Sequence, residues 1–129
     1  MSKQNVEIIR EAHARWAKGD FSSQEFLHPD IEVLWQTPDA TVTRGIGAFA
    51  EAWREWLAPW ESLTVEGERV IEAGDRVVVL ALLRGRGTGS GIEIELRAGY
   101  IWTWRGRMAV RLEAFEDHKT ALEAVGLSE

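Results

Sequence analysis

The sequence has no cysteine, only three prolines and a single tyrosine among its 129 residues. Without cysteine the chain has no disulfide framework and no thiolate ligands for a metal, and it is compatible with a reducing cytosol. Charged residues also interrupt the apolar positions of the first twenty residues. Because a signal-peptide core and a membrane span both need an uninterrupted apolar run, we expect neither. The expected location is the cytoplasm.

Positive charge is scarce as well. There are 15 lysines and arginines against 21 aspartates and glutamates, for a formal net charge of −6. Such a balance repels phosphate backbones, so we expect neither a nucleic-acid partner nor an anionic membrane. The three histidines have no metal-binding spacing, and the glycine-rich stretch RGRGTGSG lacks the Lys-Ser/Thr ending of a phosphate loop. We therefore expect neither a metal nor a nucleotide.

Tryptophan, in contrast, is abundant, with seven residues in the chain. Each ring is large, and its N–H needs a partner when it is buried. Two explanations stay open at this point. The rings either fill an ordinary core or form the walls of a pocket for an apolar small molecule.

Apolar residues at steps of three and four predict a first helix that carries His13 on its buried stripe and ends near Gly19. A short second helix is predicted next. Ser22 and Glu25 have the spacing of a capping box, and Pro29 limits how far that helix extends.

Two further helices follow from the same periodicity. Residues 46–59 keep helical spacing with one strongly aromatic face, which must be buried. Near the end of the chain Asp117 is a candidate cap for a last helix, and Gly126 stands where a left-handed residue closes a helix.

Alternation with a period of two, or an apolar run bounded by turn residues, predicts the strands. They are residues 30–36, 63–73, 76–87, 92–104 and 107–115. Helices followed by a meander predict a single α+β domain over residues 1–129.

Strand 76–87 is apolar on both faces, and one layer of helices covers only one of these faces. We therefore expect a homodimer that packs through the outer face of the sheet.

The last hairpin predicts a polar group inside a pocket. If Arg105 and Gly106 form a two-residue turn, Tyr100 faces Arg111 and shares one side of the sheet with Glu113. Trp102 and Phe115 lie on the same side in this register. We interpret Glu113 as a catalytic acid or base with Tyr100 beside it, because a carboxylate on an apolar surface has a raised pKa. The alternative is a structural ion pair between Arg111 and Glu113.

The remaining candidates are predicted to contact the ligand. They are His13, Trp16, Trp35, Trp53, Trp56, Trp102, Arg111 and Phe115. For each tryptophan the alternative is plain core packing. For His13 it is a hydrogen-bonded core residue.

Several motifs together resemble a known family. They are Arg44-Gly45 before the aromatic helix, Gly74-Asp75-Arg76-Val77, the Gly87–Gly91 bend, Trp102-Thr-Trp-Arg-Gly106 and the Ala121–Leu127 tail. Their order resembles a SnoaL-like domain of the nuclear transport factor two-like superfamily. The resemblance implies a cone-shaped α+β fold, with a strongly curved antiparallel sheet wrapped around helices and a ligand cavity between them. It also implies frequent dimers and no cofactor.

The resemblance extends to some site positions and fails at others. Glu113 stands where the cyclases and epoxide hydrolases of the family keep a catalytic aspartate, and Tyr100 stands near a pocket hydrogen-bond donor. Trp35, Ala81 and Leu83 occupy positions where the isomerases and epoxide hydrolases keep catalytic groups, so neither of those mechanisms is expected. The sequence thus predicts acid or base catalysis on an apolar, oxygen-bearing substrate. The alternatives are a noncatalytic ligand-binding protein and a dimeric scaffold.

Overall fold

The computed structural model describes residues 2–16, 25–36, 42–89 and 91–127 of the chain. In chain order the elements are α1 (Ser2–Trp16), β1 (Leu27–Gln36), β2 (Val42–Arg44), α2 (Ile46–Leu57), β3 (Trp60–Ala73), β4 (Arg76–Gly87), β5 (Glu93–Arg105), β6 (Met108–Phe115) and α3 (His118–Ala124). The predicted meander strands are confirmed to within three residues at each end. Period-two alternation indicates the half-buried strands, whereas β4 is recognised by an apolar run bounded by turn residues, because it is buried on both faces.

The predicted short second helix is wrong at its end. Strand β1 already begins at Leu27, so no helix reaches Pro29. Residues 17–24, where that helix was predicted to start, lie outside the described residues. A capping-box spacing is too weak a signal to outweigh the pairing of a neighbouring strand.

The strands form a six-stranded sheet in the order β2-β1-β6-β5-β4-β3. The pairs among β3, β4, β5 and β6 are antiparallel, as the meander requires, while β1 joins β6 in parallel. The α+β class is confirmed, but the sheet is mixed. Register shifts interrupt β1, β3 and the β5–β6 pair, and such bulges bend the strands in which they lie.

Two cores lie on opposite faces of this sheet. The inner face, on which Ile9 of α1 and Phe49 of α2 pack, buries residues such as Val79 and Leu83 of β4. The outer face is smaller, and there Val78 and other strand residues pack under α3. Because side chains alternate along a strand, β4 contributes to both cores, which explains its continuous apolar run.

Helix α3 is fixed on the outer face by specific contacts. Asp117 caps it and accepts a hydrogen bond of 2.6 Å from the backbone N–H of Thr120. His118 Nε2 donates to the carbonyl oxygen of Ala81 at 3.0 Å. Gly99 of β5 lies so close that an added Cβ would be 2.3 Å from the Cβ of Ala121. Helix α3 therefore covers part of the outer sheet face on which a second copy of the chain is predicted to pack.

The outer-face homodimer therefore stays a prediction, although α3 already covers part of the apolar face that suggested it.

No helix in the described part of the chain is long and apolar enough to cross a membrane. The cytoplasmic location also stays a prediction.

Candidate functional site

The register of the β5–β6 hairpin differs from the predicted one and rearranges the candidate site. The turn lies one residue later than predicted, at Gly106-Arg107, so that Arg105 pairs with Met108. This shift alone would leave every side chain on its predicted face. A bulge then follows, because Trp104 pairs with Ala109 while Thr103 pairs with Arg111. One extra residue in β6 moves all later side chains of that strand to the other face.

The predicted grouping on one face is therefore wrong. Glu113 pairs with Ile101 and Tyr100 pairs with Ala114. Ile101 belongs to the outer core, whereas Tyr100 and Ala114 belong to the inner one. Tyr100 and Trp102 consequently lie on the inner face. Arg111, Glu113 and Phe115 lie on the outer face.

The inner face brings Tyr100 together with His13 of α1. Both residues are buried, and their ring centroids are 6.4 Å apart with the ring planes inclined by 44°. The imidazole also packs against β3 at Gly67, where an added Cβ would be 3.4 Å from its Cγ. Such a Cβ would make an ordinary van der Waals contact with the ring, so α1 approaches β3 to contact distance at this position.

Burial keeps both of these groups uncharged. Loss of hydration lowers the pKa of His13 from 6.5 to about 4, because the imidazolium is the form that needs water most. The same cause raises the pKa of the Tyr100 phenol, whose charged form is the phenolate. At neutral pH the inner face thus has a phenol O–H that donates and a neutral imidazole that accepts or donates, in apolar surroundings.

An aromatic cluster lies next to this pair at the hairpin end of β5. Phe26 meets Trp102 edge to face at a centroid distance of 5.4 Å and stacks on Trp104 at 5.9 Å. All three rings are buried. Phe26 is not among the predicted site residues, because it falls within the short second helix that was predicted to start at Ser22.

On the outer face the predicted catalytic carboxylate takes part in a chain of ion pairs. Glu113 Oε1 is 3.6 Å from Arg111 Nε, and Arg111 Nη1 is 3.9 Å from Glu32 Oε1. Glu32 also accepts a 2.5 Å hydrogen bond from Arg44. Arg111 and Arg44 line an open cleft of about 520 Å³. This arrangement corresponds to the structural ion pair that the sequence analysis held as its alternative.

Four predicted pocket residues cannot be placed on either face. The side chains of Trp16, Trp35, Trp53 and Trp56 lie outside the described part of the structure. Their predicted contacts with a ligand stay predictions.

Among the described residues, no group of three or more histidines, aspartates or glutamates is arranged to hold a metal ion.

Exposure changes along the inner face of β5. Ile94 and Leu96 are 39% and 48% exposed, whereas Tyr100 is 7% and Trp102 only 1% exposed. Ala98, between the two groups, is half-buried. The inner face is thus closed near the β5–β6 turn and open near the β4–β5 turn.

Solved structures with the same fold are numerous, and none of those compared below exceeds 23% identity. A candidate SnoaL-like polyketide cyclase from Jannaschia sp. CCS1 matches with a TM-score of 0.79 and 20% identity, over 98% of this chain and 94% of that one. A hypothetical protein of ketosteroid isomerase-like fold from Catenulispora acidiphila DSM 44928, in complex with trimethylamine, has a TM-score of 0.71 and 17% identity. That match covers 94% of this chain and 93% of the other.

A third similar structure is TerC co-crystallized with polyporic acid. Its TM-score is 0.72 and its identity 23%, with 95% of this chain and 98% of that chain covered. At these identities the likeness shows the fold alone. No curated protein matches the sequence significantly.

The sequence itself matches the model of one protein family, the SnoaL-like domain, over residues 9–112. The matched segment begins within α1 and ends within β6, so it includes His13, Tyr100 and the meander as far as Leu112, just past the bulge. It covers most of the 129 residues. The chain therefore belongs to the SnoaL-like domain family.

Proposed function

We propose that this protein binds an apolar small molecule on the inner face of its sheet, with His13 and Tyr100 holding a hydroxyl or carbonyl oxygen of that molecule. The observation that carries the proposal is the pairing of these two buried, uncharged groups at a centroid distance of 6.4 Å. Ligand sites are typically apolar surfaces with a few convergent polar groups. The inner face around His13 and Tyr100 fits that description.

The chemistry of the two groups supports a particular class of ligand. A phenol with a raised pKa keeps its proton at every physiological pH, so Tyr100 donates a hydrogen bond to a substrate oxygen. An imidazole with a pKa of about 4 stays neutral and accepts a hydrogen bond from an acidic hydroxyl. A phenolic or enolic ligand satisfies both. A charged ligand would lose its hydration on this face without a counter-ion.

The same pair supports proton transfer on a bound substrate. In this step His13 takes the proton from a carbon next to a carbonyl group, the electron pair of that C–H bond forms a C=C bond, and the π pair of the carbonyl group moves onto its oxygen. Tyr100 donates a hydrogen bond to this oxygen, where the negative charge develops. His13 then returns the proton. The reaction class is enolisation or a related isomerisation or cyclisation.

Two structural neighbours support small-molecule binding in this fold, because one is in complex with trimethylamine and another is co-crystallized with polyporic acid. Polyporic acid is therefore a useful first probe, measured by isothermal titration calorimetry.

The sharper test compares 2-naphthol with naphthalene, which differ only by the hydroxyl group. We expect wild-type protein to bind 2-naphthol more tightly. Tyr100→Phe and His13→Gln should each weaken 2-naphthol binding roughly two- to tenfold, the effect of one hydrogen bond, and leave naphthalene binding unchanged. Glu113→Gln is the matched control on the opposite face, and its affinities should equal those of the wild type.

Two results would overturn the proposal. One is a loss of 2-naphthol affinity in Glu113→Gln while the two inner-face variants bind normally. The other is a wild-type protein that binds both probes equally, because the hydroxyl would then have no partner.

A further inference from the structure

The open half of the inner face holds large apolar side chains in contact with solvent. Ile94 and Leu96 are 39% and 48% exposed, although both belong to a regular, paired strand. They lie on the same face of β5 as Tyr100, because side chains two, four or six positions apart point the same way. The exposed residues and the proposed polar site are therefore parts of one continuous strand face.

The opposite face of the same segment is strongly polar. Three ion pairs lie on it. Their nitrogen–oxygen distances are 2.7 Å for Arg86 Nη2 and Glu93 Oε1, 3.3 Å for Arg84 Nε and Glu95 Oε2, and 3.7 Å for Arg97 Nε and Glu68 Oε1. A strand with one solvated face places its charged residues there and its apolar residues against something else. The outer face of this segment is thus the solvated one, and the apolar inner side is the one that lacks cover.

The neighbouring strands extend this apolar surface. Leu96 pairs with the buried Leu83, and Ile94 pairs with Gly85. The ring of Trp60 lies directly on Gly85, where an added Cβ would be 2.5 Å from its Cε3 atom. We call Trp60, Ile94 and Leu96 the apolar shelf. A Cβ at position 85 would collide with the ring, so Gly85 leaves room for Trp60 on the strand that pairs with Ile94.

We propose that the apolar shelf holds the tail of an elongated ligand whose oxygen-bearing head lies between His13 and Tyr100. This inference rests on the proposed function and adds the shape of the ligand to it. Tyr100 lies six positions after Ile94 on β5. At a rise of about 3.3 Å per residue, the distance along the strand from Tyr100 to Ile94 is roughly 20 Å. The ligand class is a phenol or enol with a long apolar substituent. A compact ring system would leave the shelf exposed.

A series of 4-alkylphenols tests this inference, with ethyl, butyl, hexyl and octyl chains titrated by calorimetry below their aggregation concentrations. Burial of each added methylene should tighten binding about three- to fourfold once the chain reaches the shelf. The double variant Ile94→Gln/Leu96→Gln should remove most of this gain for the longer members. Its affinity for 4-ethylphenol should stay unchanged.

Glu95→Gln is the matched control, since it introduces the same side chain between the two shelf positions but on the outer face. Its exposed ion pair with Arg84 contributes little, and the affinities along the series should equal those of the wild type. Because Ile94 and Leu96 are exposed, the double variant is expected to keep the wild-type unfolding midpoint, which a urea titration checks.

The outcomes separate the two proposals. If 4-ethylphenol binds and depends on Tyr100, but affinity does not rise with chain length, the proposed function stands and the inference about the shelf is wrong. The same conclusion follows if the double variant keeps the full gain, or if it dissociates a wild-type dimer in light scattering, because the shelf then contacts a second copy. If 4-ethylphenol binding is indifferent to Tyr100→Phe and His13→Gln, the proposed function itself is wrong.

Discussion

The two faces of the β5–β6 hairpin contain titratable groups in very different surroundings. On the inner face His13 meets Tyr100, and burial keeps both uncharged. On the outer face Glu113 and Arg111 lie near each other in a chain of ion pairs next to an open cleft. A titratable residue is thus informative about function only when its surroundings are known. A carboxylate beside a guanidinium and water is commonplace, whereas a buried neutral imidazole beside a buried phenol is not.

The largest effect expected from this difference is the pH dependence contributed by His13. Its pKa is about 4 when folded and 6.5 in the unfolded reference, so below pH 6.5 the unfolded chain takes up a proton that the folded chain does not. The stability contribution is fully present above pH 6.5 and is lost as pH falls towards 4. A shift of this size corresponds to about 3 kcal/mol of unfolding free energy.

Urea unfolding at several pH values between 7.5 and 4 checks this expectation. Carboxylates titrate over part of the same range, so the informative quantity is the difference between wild type and His13→Gln. The variant should lose clearly less stability on acidification. Parallel pH curves for the two proteins would show that His13 is hydrated in the folded state and would remove the contrast between the faces.

A smaller effect is expected where α3 covers the outer face. The Gly99→Ala variant places a methyl group 2.3 Å from the Cβ of Ala121, which forces the helix away from β5. Overpacking of this kind costs about 1–3 kcal/mol. Gly47→Ala in the first turn of α2 is the control, since its added Cβ meets nothing within 4 Å, and it should raise the unfolding free energy by less than about 1 kcal/mol. Equal unfolding midpoints for both variants would mean that α3 does not rest on β5.

The smallest effect is expected for the outer-face carboxylate itself. Arg111 is half-exposed, and an ion pair of this kind contributes about 0–1 kcal/mol, so Glu113→Gln should change the unfolding free energy by less than about 1 kcal/mol. Thermal unfolding of the variant and the wild type side by side measures it. A much larger loss would assign Glu113 to an environment as dry as that of His13, and the two faces would then be alike.

Much of this protein follows from sequence alone, for reasons that are local. The alternation of IEIELR locates β5 and the unbroken apolar run of RVVVLALL locates β4, because a strand with one apolar face repeats every two residues and a strand buried on both faces is apolar throughout. Asp117 and Gly126 mark the ends of α3, because capping depends on a few neighbouring atoms. The family could also be identified, since its motifs mark the turns that connect these elements.

Only the tertiary structure decided which candidates share a site. The bulge in β6 opposite Thr103 and Trp104 moved Glu113 and Arg111 to the outer face, and a period of two looks the same in either register. The contact between His13 and Tyr100 could not be predicted from local patterns, because the two residues lie far apart in the chain, one on α1 and the other on β5. The exposure of individual side chains could not be predicted from the sequence either. Leu96 and Trp102 lie on the same face of β5, and only the packing around them leaves Leu96 exposed to solvent and Trp102 buried.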